Sequence, residues 1–400
     1  MKKAIVLVLV FAVAVTAGMF SACSKKKSNP AAPAPTEAPP AATATVTPTA
    51  LRTFTAVPTS TATTTPTASK TGTMIPTLTN TISPTVTPTG TWTCTPMPTS
   101  TVTITSTPAP GSAWTEATGT AAFPARDTHA SIVFNNQIWV IAGVNGGGSL
   151  LNDVWYSNNG INWGCTTTAA AFSIRQQHTS VSYNNEMWVI GGQTTSFGNL
   201  SDVWYSSDGM NWGCTTTAAA FGARCMHTSV VFNNEMWVIG GNGSGTYLND
   251  AWHSSDGANW YEATGNAAFS GRQQHVSVVY NNEMWVIAGI NTSASLLNDA
   301  WYSSDGINWN KATGSAAFSA RTSPTSIVYN NYIYVIGGYD GNFKNDVWYS
   351  NDGTNWYEAA GSAAFSPRVY HTSLAYNNEM WVIAGFDSSY SVLNDVWWSQ

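Results

Sequence analysis

An Arg-x-x-His tetrad returns along the chain as Arg126 with His129, Arg175 with His178, Arg224 with His227, Arg272 with His275, and Arg368 with His371. A further copy keeps Arg321 but carries Pro324 where His is due. Guanidinium groups brought to one spot from every copy could clamp an anionic ligand such as an acidic sugar. The same Arg and His side chains could instead bond neighbouring loop carbonyls, since a residue supplied by nearly every repeat usually belongs to the scaffold. Between Arg and His lie pairs that do not match one another: Asp127-Thr128, Gln176-Gln177, Cys225-Met226, Gln273-Gln274, Thr322-Ser323 and Val369-Tyr370. Such departures from a repeat are candidates for specificity, and Gln176, Gln273 and Tyr370 are the side chains best equipped to line an asymmetric pocket.

Other chemistry is thin. One Asp per copy, at Asp153, Asp202, Asp250, Asp299, Asp346 and Asp395, supplies too few oxygens at any one place for a Ca²⁺ cage and reads as turn capping. The unrepeated acids Asp127, Asp340 and Asp387 are the only hints of the paired carboxylates that glycoside hydrolysis requires. Cys94, Cys165, Cys214 and Cys225 have no C-x-x-C spacing and no metal-ligand rhythm, so neither a metal nor a cofactor is expected. Cys165 and Cys214 hold equivalent places in successive copies and are too far apart to bond; Cys214 with Cys225, or free thiols, are the open alternatives.

The elements that must carry these residues follow from the repeat itself. Near-copies of about 48 residues run from Trp114 to Gln400, a period typical of β-propeller blades. In the copy that begins at Arg224, the strands are Thr228 to Phe232, Met236 to Ile239, Asn249 to Ser254 and Asn259 to Thr264. Asn233-Asn234 and Asp256-Gly257 form tight turns between them. Of 19 Trp residues, 17 fall at repeat positions on the second, third and fourth strands, as core between blades should. The last copy stops after its third strand, while a lone fourth strand, Trp114 to Thr118, stands ahead of the first copy. The expected fold is therefore all-β: a six-bladed propeller of four-stranded blades over residues 113–400, closed by the N-terminal strand. Loops joining strands two to three and four to one then share one face. Among their variable residues, Tyr247, Tyr339, Phe343 and Tyr390 could stack on a ligand.

These copies resemble the Kelch-repeat propellers, with Gly doublets at Gly191-Gly192, Gly240-Gly241 and Gly337-Gly338 and Ala-Gly at Ala142-Gly143, Ala288-Gly289 and Ala384-Gly385. The resemblance covers Trp114 to Gln400 and implies the propeller fold; because some Kelch-like propellers act on sugars as oxidases or epimerases, it keeps a carbohydrate-active enzyme as the alternative function. Ser207-Asp208-Gly209-Met210-Asn211-Trp212 also resembles the Asp-box of sialidases, one residue short, and reads more plainly as a hairpin turn with a packed Trp.

Residues 1–23 have the form of a bacterial export signal: Lys2 and Lys3, an apolar run from Ala4 to Phe20, and Phe20-Ser21-Ala22-Cys23, which resembles a lipoprotein signal with Cys23 as the lipidated residue. Residues 24–112, rich in Thr, Pro, Ala and Ser, have almost nothing to bury and are expected to form a disordered, extended stalk. From Trp114 onward, 8 basic residues face 20 acidic ones, a net charge of −12, so nucleic acid and anionic membranes are excluded as partners of this domain. The lipid anchor would be its one membrane contact. The expectation is a monomeric recognition module outside the cytoplasm, anchored at the bacterial cell surface, that binds a glycan or a protein on its variable face. A purely structural envelope protein is the third alternative.

Overall fold

The computed structural model describes residues 110–400; the expected leader, Cys23, the stalk up to residue 109 and Cys94 lie outside the described residues. In the third blade the strands are Thr228–Phe232, Glu235–Gly243, Thr246–Ser254 and Tyr261–Thr264, antiparallel and in sequential order. Strands two and three run further than their apolar cores suggest, because pairing resumes past the Gly doublet, with Asn242 opposite Tyr247 and Gly243 opposite Thr246. Both members of each Asn-Asn turn have positive φ, as a two-residue hairpin demands.

The six innermost strands, Ala130–Phe134, Thr179–Tyr183, Thr228–Phe232, Val276–Tyr280, Thr325–Tyr329 and Thr372–Tyr376, each lie beside the next, and the last lies beside the first. Six apolar clusters follow, each uniting two neighbouring blades. Second strands such as Glu186–Gln193 are buried on both faces for this reason, which explains why they read as unbroken apolar runs.

One contact recurs at five of these interfaces. The second-strand Trp139, Trp188, Trp237, Trp285 and Trp381 lie against the turn glycine of the next blade, at Gly209, Gly257, Gly306, Gly353 and Gly160 respectively. A Cβ on any of those glycines would fall 2.0–2.2 Å from the indole, and each has φ between 67° and 73°. Only glycine satisfies both constraints.

The sixth interface is built from both ends of the chain. Thr115–Thr118 pairs antiparallel with Val392–Ser399, Thr115 opposite Trp398 and Glu116 opposite Trp397, so the sixth sheet takes three strands from the C-terminus and one from the N-terminus. Its missing Asp-Gly turn is replaced by Gly111, a residue that the sequence reading assigns to the stalk. Gly111 N–H donates to the Gln400 carbonyl at 3.2 Å, and Trp114 Nε1 donates back to the Gly111 carbonyl at 2.9 Å, just as Trp163 Nε1 does to Gly160 at 3.0 Å. The residue facing Gly111 is Tyr334, the one second strand without Trp, and the gap there is wider: a Cβ on Gly111 would lie 3.3 Å from the ring.

Removal of residues 111–118 should lower the melting temperature of the chain sharply, and Trp114→Ala alone should destabilise it by about 3–5 kcal/mol. Thermal and urea melts of the two variants measure this; unchanged melts would show that another contact holds the ring.

Candidate functional site

The Arg ring expected at the channel mouth is not there. Arg126, Arg175, Arg224, Arg272, Arg321 and Arg368 are at most 2% exposed. Each opens a short extended stretch beside the end of strand two, as Arg126 does opposite Asn145, and its side chain turns back into its own blade. Arg126 holds Asp153 through two bonds of 2.8 and 2.7 Å, the Ala142 carbonyl at 2.7 Å and the Pro124 carbonyl at 3.1 Å, with its guanidinium over Phe123. The same bidentate pairing joins Arg175 to Asp202, Arg224 to Asp250, Arg272 to Asp299, Arg321 to Asp346, and Arg368 to Asp395. An anionic ligand would have to displace a buried carboxylate from each guanidinium, so these residues are scaffold. The repeated Asp residues are thus counter-ions rather than turn caps, and Asp153 also accepts from Trp155 Nε1 at 2.7 Å.

Past each Arg the chain must bend into the innermost strand, and it does so through the residue just before the His position. Thr128, Gln177, Met226, Gln274, Ser323 and Tyr370 all have φ between 51° and 55°. Their main chains link head to tail around the axis: Gln177 N–H donates to the Thr128 carbonyl, Met226 to Gln177, Gln274 to Met226, Ser323 to Gln274, and Thr128 to Tyr370, at 2.9–3.1 Å. The Gly doublet leaves room for this bend. A Cβ on Gly143, with φ 103°, would lie 2.7 Å from the Asp127 carbonyl, whereas Ala142 just before it sits at φ 54° without conflict. That is why the doublet varies to Ala-Gly and never to Gly-Ala.

Below this ring the His side chains form a second one, bonded across blades to hydroxyls rather than to the loop carbonyls expected of them. Nε2 of His227, His275, His371 and His129 lies 3.0 Å from the hydroxyl of Thr179, Thr228, Thr325 and Thr372 in the preceding blade. The exceptions come in register. Pro324 replaces His in the blade after Val276, so both partners are lost together, and His178 follows Ala130, which leaves its Nε2 buried without a hydrogen bond. The signal was present in the residue after each His, but it crosses blades and becomes visible only once the neighbour order is known.

Burial, reinforced by the nearby Arg, keeps these rings neutral: the pKa falls to about 3 for His227, His275 and His371, and well below the usual value for His129 and His178. Carbonyls of Ile141, Ile190, Ile239 and Ile336 favour the proton slightly on four of them, yet Nδ1 of each ring has no partner of hydrogen-bond geometry.

At the axis, a cavity of about 130 Å³ opens between Thr128, Gln177, Met226, Gln274, Ser323 and Tyr370. A second of about 240 Å³ lies among the Ser and Thr side chains of the inner strands. The second member of each unmatched pair therefore faces the axis, while Gln176 and Gln273, the expected pocket residues, bond sideways. Gln176 Nε2 donates to Gln193 Oε1 at 3.2 Å, and Gln273 Nε2 donates to the Tyr247 hydroxyl at 3.1 Å. Tyr370 does stand at the mouth, accepting from Gln274 Nε2 at 3.0 Å, and Gln274 Oε1 in turn accepts from Thr322 Oγ1 at 2.7 Å. Asp127 beside it has its pKa raised by burial to about 6, against a hydrogen bond from Thr128. Asp340 is paired with Lys344 at 2.8 Å, and Asp387 accepts from the Ser389 and Ser391 amides at 2.9 Å, so the three unrepeated acids do not act as a set.

Three of the four expected stacking residues do converge. Phe343 lies 5.6 Å from Tyr339 and 6.3 Å from Tyr390, and Phe386, which the sequence reading passed over, completes the group at 6.1 Å from Phe343 and 6.0 Å from Tyr390. Tyr247 stands apart, held by Gln273. The cluster borders the axial mouth, because Tyr339 and Thr322 exchange main-chain hydrogen bonds of 2.9 Å.

The sialidase-like motif is a turn: burial would raise the Asp208 pKa, but bonds from Asn211 and Met210 outweigh it and bring the value to about 2. Cys225 is a buried free thiol, pushed up to about 11 by burial, and so does not bond Cys214. Among the described residues, no group of three His, Cys, Asp or Glu side chains is placed to share a metal ion.

Gly-doublet blades of four strands, each stapled by a buried Arg–Asp pair, define a propeller scaffold with its variable residues on one face. The chain belongs to the Kelch-repeat family: the model described as the KLHDC2/KLHL20/DRC7 Kelch-repeats domain matches residues 99–260 and 178–364, together more than half of the chain. A solved structure titled "Structure of YjhT" is similar with a TM-score of 0.58 and 16% identity, covering 70% of this chain and 96% of that one, a likeness of fold alone. Among curated proteins none matches.

Ala130→Thr should supply the hydroxyl that His178 lacks and stabilise the fold by about 1 kcal/mol in urea titration, while Thr228→Ala should cost about 1–3 kcal/mol by orphaning His275. Lowering the pH from the ordinary His pKa of 6.5 toward 3 protonates the unfolded chain before these buried rings, so stability is lost through that window. The urea midpoint should accordingly be lower at pH 5 than at pH 7.

Proposed function

We propose that this Kelch propeller is a non-catalytic recognition module, displayed at the bacterial cell surface on its Thr/Pro-rich stalk and tethered through Cys23, that takes a glycan or a protein on the loop face. The observation that carries the reading is the gathering of Tyr339, Phe343, Phe386 and Tyr390 beside the axial mouth, while all six repeated Arg are consumed inside the blades. Exposed aromatic groups rimmed by polar loops are what recognition surfaces present. Chain direction supports display. Gly111 stands in for a tight turn, so the first described residues lie on the face opposite these loops.

Binding of the full chain to glycan or protein arrays should disappear with Tyr339→Ala combined with Tyr390→Ala, and Cys23→Ser should move the protein out of the membrane fraction. Arrays that stay blank would remove the recognition reading. Turnover of sugar substrates that is abolished by Asp127→Asn would favour an enzyme instead.

A further inference from the structure

The same loop turn is built in three blades. Asn145 Oδ1 accepts from the Gly147 and Ser149 amides at 3.0 Å, and Gly148 N–H donates to the Asn145 carbonyl at 2.8 Å. Asn291 repeats this with Ser293, Ser295 and Ala294, and Asp387 with Ser389, Ser391 and Tyr390. The fourth residue of the turn is left-handed each time, with φ of 77° at Gly148, 56° at Ala294 and 61° at Tyr390. A bulky side chain is strained in that conformation, and the Gly and Ala versions show that the turn forms without an aromatic ring. Tyr390 is nonetheless 78% exposed, so burial does not explain its presence.

Its surroundings narrow what it could meet. Tyr390 meets Phe343 and Phe386 edge to face, at interplanar angles of 79° and 68°, which props its ring without covering it. The nearby charges are spent: Lys344 on Asp340, Asp387 on its own turn. Anionic ligands therefore find no free cation at this cluster, and the Asp387 carboxylate is buried in its turn. Neither axial cavity is lined by these rings, and a protein partner anchors best through side chains sunk into desolvated pockets. A pyranose needs no pocket: its C–H face lies flat on an exposed ring, and its hydroxyls stay in water or bond neutral groups such as the Tyr339 and Tyr390 hydroxyls.

We propose that Tyr390, propped by Phe343 and Phe386 and flanked by Tyr339, is the stacking platform for a neutral pyranose ring of a glycan. This rests on the loop face being the recognition surface and assigns the ligand class of that same site.

Calorimetric titration of the full chain with neutral gluco-, manno-, xylo- and galacto-oligosaccharides tests it. Tyr390→Ala should weaken binding about tenfold or more, and Tyr390→Phe should stay within about threefold, because the ring rather than the hydroxyl does the stacking. Tyr390→Gly should bind as poorly as the Ala variant while melting no lower than the parent, since Gly148 already serves the same turn. A Gly variant that melts several degrees lower would make Tyr390 a structural prop and overturn the proposal. Saccharide affinity indifferent to Tyr390, or a blank saccharide panel with Tyr390-dependent binding on a peptide array, would overturn the ligand class and leave the recognition surface standing. Blank results on both would end the recognition reading itself.

Discussion

A guanidinium held away from water must be matched charge for charge, and each blade does this with one Arg–Asp pair. In the first blade Arg126 ties the loop that enters the blade, through Pro124, to the end of strand two, through Ala142, and to strand three, through Asp153. Removing one partner of such a pair strands a buried charge at a cost of about 3–5 kcal/mol. The pair therefore sets where the loop face begins: everything from the left-handed residue before each His to the tip of the two-to-three loop is positioned from it. It also takes the repeated charge off that face. What remains there is Asp127, the Asp340–Lys344 pair and the Asp387 turn, all of them departures from the repeat.

The ring tolerates irregularity where two neighbours change together. Pro324 removes a ring nitrogen donor or acceptor, and Val276 removes the hydroxyl that would have faced it, so no buried polar group is left waiting. Tyr334 and Gly111 are another matched pair, the smaller ring meeting the one turn assembled from two chain ends. Ala130 is the unmatched case, and its consequence is visible as the lone Nε2 of His178. A propeller with six interfaces can carry one such defect because each interface has its own apolar cluster.

Blade number, strand order and the half-blade at each terminus were legible in the sequence, because periodicity and turn residues are local signals. The scaffold reading of the Arg, bonded to loop carbonyls, holds, but the Asp that each Arg pairs with was not legible. Their partnership spans 25 to 27 residues and depends on which way a side chain turns at a strand end, which spacing alone does not say. Gln176 and Gln273 misled for a related reason: adjacent residues point to opposite sides, and the left-handed bend decided that Gln177 and Gln274, not their predecessors, would face the axis. Tyr339, Phe343 and Tyr390 were found as departures from the repeat. Phe386 was missed although it occupies the place of Val144 and Ile290, since an apolar residue in an apolar column gives no contrast until a neighbour's ring is seen against it.

The two faces of the propeller differ in kind. On the tight-turn face lie Asp208, Asp256, Asp305 and Asp352, whose carboxylates are bound by their own turns and held in the ionised form, together with the Glu that follows each of four Asn-Asn turns, at Glu186, Glu235, Glu283 and Glu379. These acids carry much of the net charge of −12 found from Trp114 onward. That face repels other anionic surfaces. On the loop face Asp340 is paired with Lys344, Asp127 and Asp387 accept hydrogen bonds from their own turns, and aromatic rings are exposed instead. The molecule thus keeps most of its exposed acids on one face and its exposed rings on the other, and the Arg–Asp pairs help to hold the two apart, because without them the loop face would carry six more cations.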